Sequence, residues 1–209
     1  MTQTVLVPGG RDVRATLDTA ANDPDDDRAD AVVVACPPHP QHRGHRGDER
    51  LVAVGDELGE RGVDCLRFDY GPWDEGYGER SDTRRAVEWA GERYDHVALF
   101  GFSFGGAMAL LAAADGAAVS AVSALAPAHR LADDLDVVDS FPEIPVPVQV
   151  VYGTRDDVAE AHLVAERARE FEQSVAELDA DHFFVGQSAT VATTVSEFLV
   201  PWLQAAESR

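Results

Sequence analysis

The sequence contains no lysine: all 17 basic residues are arginine, against 38 acidic ones, for a formal net charge of −21 over 209 residues. That shortage of positive charge argues against a nucleic-acid partner, which is held by cations on phosphates. Cysteine is almost absent. Cys36 and Cys65 are too few for a disulfide scaffold, and neither has a second cysteine at metal-ligand spacing. Each sits in an apolar, strand-like run, so both are expected to be buried free thiols in a reducing cytoplasm. No apolar run reaches the roughly 18 residues needed to cross a membrane, so no membrane partner is expected. The opening stretch, Met1 to Pro8, reads as a strand and lacks the basic start and apolar stretch of a secretory signal. The expected location is the cytoplasm.

Apolar residues make up 45% of the chain, enough for a buried core, and the length suits one domain spanning residues 1–209. The acids are scattered, with Asp-rich turns such as Asp25-Asp26-Asp27, which reads as a solvated surface rather than a docking patch. So much like charge repels itself in dilute salt. Concentrated salt shortens the Debye length to about 3 Å at 1 M and removes the penalty. In this the composition resembles proteins of salt-loving archaea.

Strand and helix signals alternate throughout. Val5–Pro8 and Val13–Leu17 predict a hairpin turned at Gly9-Gly10, and residues 20–30, acidic and containing Pro24, predict a surface loop. The unbroken apolar run 31–36 predicts a strand buried on both faces. A helix is expected from about Glu49 to Arg61, stopped by Gly62, then a strand at Val63–Asp69 and a Gly-rich loop from Tyr70 to Gly78. Thr83–Tyr94 has helical spacing. A strand at 97–100 runs into Gly101, and a small-residue helix covers Ala107–Ala114. Strands follow at Val119–Leu125 and Val146–Tyr152, and the Pro-containing segment between them has room for one short helix, hence a minimal lid. A helix over Val158–Phe171, a strand at Ser174–Leu178 and a helix over Val191–Ala205 close the chain. This alternation predicts an α/β fold: a mostly parallel, twisted sheet of about 7–8 strands with helices on both faces.

Gly101-Phe102-Ser103-Phe104-Gly105-Gly106 lies between a strand and a helix, the context that turns Gly-x-Ser-x-Gly into a nucleophile elbow. Ser103 is the expected nucleophile, and the Phe104 amide, at the helix start, one donor to an oxyanion. A serine needs a base, and the base an orienting acid, in the chain order Ser, Asp or Glu, His. Of the downstream histidines, His129 comes too early and His162 falls inside a helix. His182 follows the last strand, where the base belongs. Asp156 in Gly153-Thr154-Arg155-Asp156-Asp157-Val158 is the favoured acid, with Val158 turning back into the core. Asp157 is then the N-cap of the next helix. Asp181, adjacent to His182, is poorly placed to orient it.

Several stretches carry a wider resemblance. Cys36-Pro37-Pro38-His39-Pro40-Gln41-His42-Arg43-Gly44 is similar to a His-Pro-His-Pro loop with a following glycine. Arg67-Phe68-Asp69-Tyr70 is similar to Arg-Phe-Asn-Phe, and Asp74-Glu75-Gly76-Tyr77-Gly78-Glu79 with Asp82 to Asp-x-Gly-x-Gly-Glu-x-x-Asp. With the elbow and triad, these identify the chain as resembling the α/β-hydrolase superfamily, in its small dienelactone-hydrolase-like group. In that group an Arg-Gly turn and further residues separate the last two stretches, whereas here only Gly71-Pro72-Trp73 remain. The first histidine of the loop is replaced by Pro37 or Pro38. Prolines cannot donate, which leaves the His39 or Gln41 amide as the second oxyanion donor. His39, His42 and His45 recur at three-residue spacing, but Pro40 and Gly44 prevent a regular helix from aligning them on a metal.

The resemblance implies a serine hydrolase that cleaves carboxylester or thioester bonds of small acyl substrates through an acyl-enzyme, without cofactor or metal. Tyr70, Trp73 and Phe102, with Phe104, are candidates for an apolar pocket or for core and rim positions. The rival readings are a catalytically silent binding protein on the same fold, and an acyltransferase or peptidase using the same triad.

Overall fold

The computed structural model describes residues 1–20 and 29–204. The expected acidic loop, apart from its ends at Ala20 and residues 29–30, lies outside them, with Asp25-Asp26-Asp27 and the Ala205 end of the closing helix.

Two antiparallel strands, β1 (Thr2–Val7) and β2 (Val13–Asp18), form the expected hairpin. Then come β3 (Ala31–Cys36), α1 (Glu49–Glu60), β4 (Asp64–Asp69), α2 (Tyr77–Gly91), β5 (His96–Phe102) and α3 (Phe104–Ala114). After β6 (Val122–Leu125), a miniature antiparallel pair, β7 (Arg130–Ala132) and β8 (Leu135–Asp136), leads into the single-turn α4 (Val137–Ser140). β9 (Val148–Gly153), α5 (Ala161–Glu170), β10 (Ser174–Leu178) and α6 (Ser188–Gln204) complete the described chain.

The main sheet has eight strands in the order β1-β2-β4-β3-β5-β6-β9-β10, parallel from β4 onward. β3 shows why the strands need covering on both sides. Val32, Val34 and Cys36 enter one core with residues of α2, α3 and α5. Ala31, Val33 and Ala35 enter the other with Leu51, Val54 and Leu58 of α1 and Val191, Val195 and Leu199 of α6. Cys36 and Cys65 are both buried and free. They sit on neighbouring strands but belong to opposite cores, so the sheet separates them. Burial pushes both thiols up to about 12, leaving them protonated and inert. Among the described residues no helix is long and apolar enough to cross a membrane.

The strand order reverses direction between β3 and β5, and ligands of open α/β sheets bind beyond the carboxyl ends of the strands at such a switch point. The loops after β3 and β5 both emerge there.

Four expectations need correction. α2 begins at Tyr77, six residues before the expected start at Thr83, because its first turn buries polar rather than apolar groups. Glu79, Asp82 and Thr83 are fully buried, and an apolar periodicity does not count them. The segment between β6 and β9 holds the β7–β8 pair as well as α4; strands of three and two residues are too short to show an alternating pattern. α5 begins at Ala161, after Glu160 in a left-handed conformation, so Asp157 is not its N-cap. Val158 is 60% exposed rather than turned inward; Ala159 is the buried neighbour.

Candidate active site

β5 ends at Phe102 and α3 begins at Phe104, leaving Ser103 alone to make the turn, at φ +56° and ψ −115°. A non-glycine residue in that region is strained and is held by its surroundings. The Ser103 amide donates to Leu125 O at 2.8 Å, and its carbonyl accepts from Ala107 and Ala128. The flanking glycines are required by space. A Cβ on Gly101 would stand 2.1 Å from Gly105 O, and one on Gly105 would stand 2.2 Å from Cys36 O. The close approach at Gly105 also brings the Pro37–His39 stretch against the start of α3. Phe104, as the first residue of α3, has no intrahelical acceptor for its N–H.

The loops after β9 and β10 meet in the same way. A Cβ on Gly153 would stand 2.5 Å from Ala180 O, and the amides of Thr154 and Arg155 donate to Leu178 O and Ala180 O. This backbone pairing sets Asp156 beside His182. His182 Nδ1 lies 2.8 Å from Asp156 Oδ2, and His182 Nε2 lies 3.0 Å from Ser103 Oγ. The side chains of His182 and Asp156 are only 5% and 1% exposed. Burial raises the Asp156 pKa, but hydrogen bonds from His182 and from the Val158 and Ala159 amides, with the nearby His182 charge, outweigh it and hold the carboxyl below its ordinary value. An ionised Asp156 can only accept, so Nδ1 carries the proton and Nε2 is free to accept from the Ser103 hydroxyl.

The other histidines and acids lie elsewhere. His129 lies 3.6 Å from Glu160, and His162 is exposed on α5. Asp181 accepts the Phe183 amide at 2.9 Å within its own turn.

The loop after β3 folds into a short 3-10 turn over Pro40–His42. The Gln41 amide donates to His39 Nδ1 at 3.3 Å and is occupied, whereas the His39 amide donates to no group among the described residues. The His39 ring stacks on His42 at 4.5 Å and touches Trp73 and Phe104 at 4.7 and 4.9 Å. Burial, then the neighbouring His42, lowers its pKa, so the imidazole is neutral at pH 7. Among the described residues no group of three or more potential metal ligands comes together.

Of the three expected pocket residues, only Trp73 reaches solvent, 36% exposed. Tyr70 is buried, its hydroxyl donating to Pro37 O at 3.2 Å, and Phe102 is buried against His182 and Arg50. Both support the site from behind, since Phe102 ends β5 and Tyr70 directly follows β4 beneath it.

Two groups escaped the sequence reading. Arg11, in the β1–β2 turn, donates through Nε to both Asp82 oxygens at 2.9 and 3.1 Å and through Nη2 to Pro72 O at 2.6 Å. Asp82 also accepts the Gly71 amide, while Glu79 accepts those of Asp74 and Gly76, so the short loop carrying Trp73 is tied at both ends. Arg50 donates to Phe183 O beside the base. A cation in the first turn of α1, against the helix dipole, was the available signal.

An eight-stranded, mostly parallel sheet with a serine elbow at its switch point is the α/β-hydrolase fold. Solved structures agree over nearly their full length. A lidless α/β serine hydrolase from Xanthomonas campestris superposes with a TM-score of 0.80 at 22% identity, covering 98% of this chain and 96% of its own. Est1E from Butyrivibrio proteoclasticus gives 0.82 at 19% identity over 96% and 98%. A dienelactone hydrolase from Anabaena variabilis gives 0.77 at 21% over 98% and 99%. No curated relative matches the chain in sequence. The model of the dienelactone hydrolase family matches residues 73–189, more than half of the chain, and the chain belongs to that family.

Proposed function

We propose that this protein is a serine hydrolase that cleaves carboxylester or thioester bonds of small acyl substrates through an acyl-enzyme on Ser103. The observation that carries the reading is the unbroken hydrogen-bonded line from Ser103 Oγ through His182 to Asp156 on a strained elbow. Strain and burial of this kind are costly and concentrate where chemistry is done.

In the first half-reaction His182 Nε2 takes the hydroxyl proton as Oγ bonds to the acyl carbon. The amides of Phe104 and His39 hold the developing oxyanion, each such donor contributing on the order of 10²–10³ in rate. The carbon–oxygen or carbon–sulfur bond to the leaving group then breaks, and Nε2 returns the proton to it. In the second half Nε2 deprotonates water as it attacks the acyl carbon; the carbon–Oγ bond then breaks, Nε2 returns the proton to Oγ, and the acid leaves. Asp156 stays ionised, fixing the tautomer and favouring the imidazolium that forms twice. These steps use the side chains and amides named, with no cofactor. Trp73 and His39 form one wall of the acyl subsite. The acidic surface suits concentrated salt.

The test is fluorophosphonate labelling in multimolar KCl, read by intact mass. One adduct on the parent and none on Ser103→Ala is the expected result. No adduct on a folded parent overturns the reading and leaves a binding protein on a hydrolase fold.

A further inference from the structure

The N-terminal end of a helix carries partial positive charge and disfavours a cation. Arg50 nevertheless occupies the first turn of α1, its side chain only 11% exposed. It is kept there by the adjacent Asp48 and Glu49 carboxylates and by two tertiary partners, Phe102 and Phe183. The Asp48 carboxylate accepts the Arg50 amide at 3.0 Å and Nε at 2.8 Å, and its second oxygen pairs with Nη2. The Phe102 ring lies 4.4 Å from the guanidinium carbon, within cation–π range. Nη1 donates to Phe183 O at 2.9 Å, joining α1 to a loop 133 residues later.

Two of those partners flank the imidazole. Phe102 precedes Ser103, and its ring centroid lies 5.3 Å from that of His182; Phe183 directly follows His182 and packs edge-on against it at 5.2 Å. Backbone bonds to the β9 loop hold this loop as far as Ala180, and Phe184 is fully buried, but Phe183 and Val185, just past the base, are 52% and 74% exposed.

We propose that Arg50 is a positioning residue for His182, clamping the loop after β10 to the strand that carries Ser103 and thereby setting the Nε2–Oγ distance. The clamp rests on the serine-hydrolase reading for its purpose, though not for its geometry. A guanidinium suits it because the planar fork satisfies Asp48 and Phe183 while its face covers Phe102, which an ammonium cannot do.

The test has two arms. In the first, the His182 Nδ1 proton is followed by NMR and assigned by its loss in His182→Gln. It is expected to be protected from solvent exchange in the parent and to exchange at least about 10-fold faster in folded Arg50→Met. In the second, kcat for ester hydrolysis falls about 10–100-fold with KM within about twofold, as expected for a misplaced base. Arg50→Lys keeps the charge and shows both effects in the same direction, so a folding failure of Arg50→Met does not leave the question open. Arg61→Met, which breaks a surface pair with Glu57 at the far end of α1, changes neither. Unchanged exchange and kcat in the folded Arg50 variants overturn the proposal, as does an unprotected His182 proton in the parent. An inactive parent with a protected proton defeats only the hydrolase reading, and the exchange rates still decide the role of Arg50.

Discussion

The two walls around Ser103 are held by different physics. On the Asp156–His182 side, backbone meets backbone: Gly153 lies against Ala180, and amides of one loop donate to carbonyls of the other. On the Trp73 side, side-chain charge does the holding: Arg11 reaches from the β1–β2 turn to Asp82, with the Glu79 carboxylate 3.7 Å away. Both carboxylates are fully buried while Arg11 is 21% exposed, so the cation is the partner nearer water. The first wall is built mainly from short backbone contacts, to which Arg50 adds one bond at Phe183 O. The second depends chiefly on one distant guanidinium, with Arg85 3.7 Å from Asp82 as a weaker neighbour. Across the short Gly71-Pro72-Trp73 segment, Arg11 bonds both Pro72 O and Asp82 and so braces the wall.

The largest effect should come from Asp156→Asn, which leaves the first wall's backbone intact but removes the group that sets the tautomer. Turnover of an ester is expected to fall by about 10⁴-fold, checked by stopped and continuous assays at pH 7. The same variant tests linkage. Asp156 is held below its ordinary value, so it adds stability above the unfolded-state pKa that is lost as pH falls through the lowered native value. The acid side of a denaturation profile should therefore flatten in Asp156→Asn.

Arg11→Met weakens the second wall by leaving Glu79 buried without its cation and Asp82 with Arg85 alone, 3.7 Å away. A loss of about 3 kcal/mol or more is expected in urea unfolding, with altered Trp73 fluorescence. Fluorophosphonate labelling of the protein that remains folded should persist, because the triad is braced independently.

Salt should stabilise the whole molecule while leaving the first wall unchanged. Raising KCl from 0.1 to about 3 M screens the net charge of −21, and Tm should rise by about 2–4 °C for each kcal/mol of repulsion removed. A Tm that falls or stays level would mean the acids are compensated locally.

The smallest effect sharpens the comparison. Gly91→Ala, where a Cβ meets nothing within 4 Å, should change stability by less than about 1 kcal/mol, whereas Gly153→Ala should cost far more. Thermal unfolding of the two variants measures the contrast.

Much of the site was legible because its signals are local. Gly101, Ser103 and Gly105 share one tight turn, Asp156 follows the apolar strand β9, and His182 follows the short strand β10. The misreadings share one cause. The first turn of α2 was hidden because it buries Glu79, Asp82 and Thr83, which look like surface residues until their partners are known. Tyr70 and Phe102 looked like pocket residues because aromatic type does not say which side of a strand end faces solvent. Val158 was misassigned for the same reason.

By itself the sequence determined the alternation of strands and helices, the elbow and the order of the three triad residues, since these follow from side-chain periodicity and steric limits within a few residues. Only the tertiary structure decided that Arg11 would pair with Asp82, that Arg50 would reach Phe183, and that the His39 amide rather than that of Gln41 would be left unbonded among the described residues. Those outcomes depend on groups 71 and 133 residues apart meeting in space, and on which donors the folded loop consumes internally. No local pattern encodes such distances, because they are set by how the sheet brings its loops together.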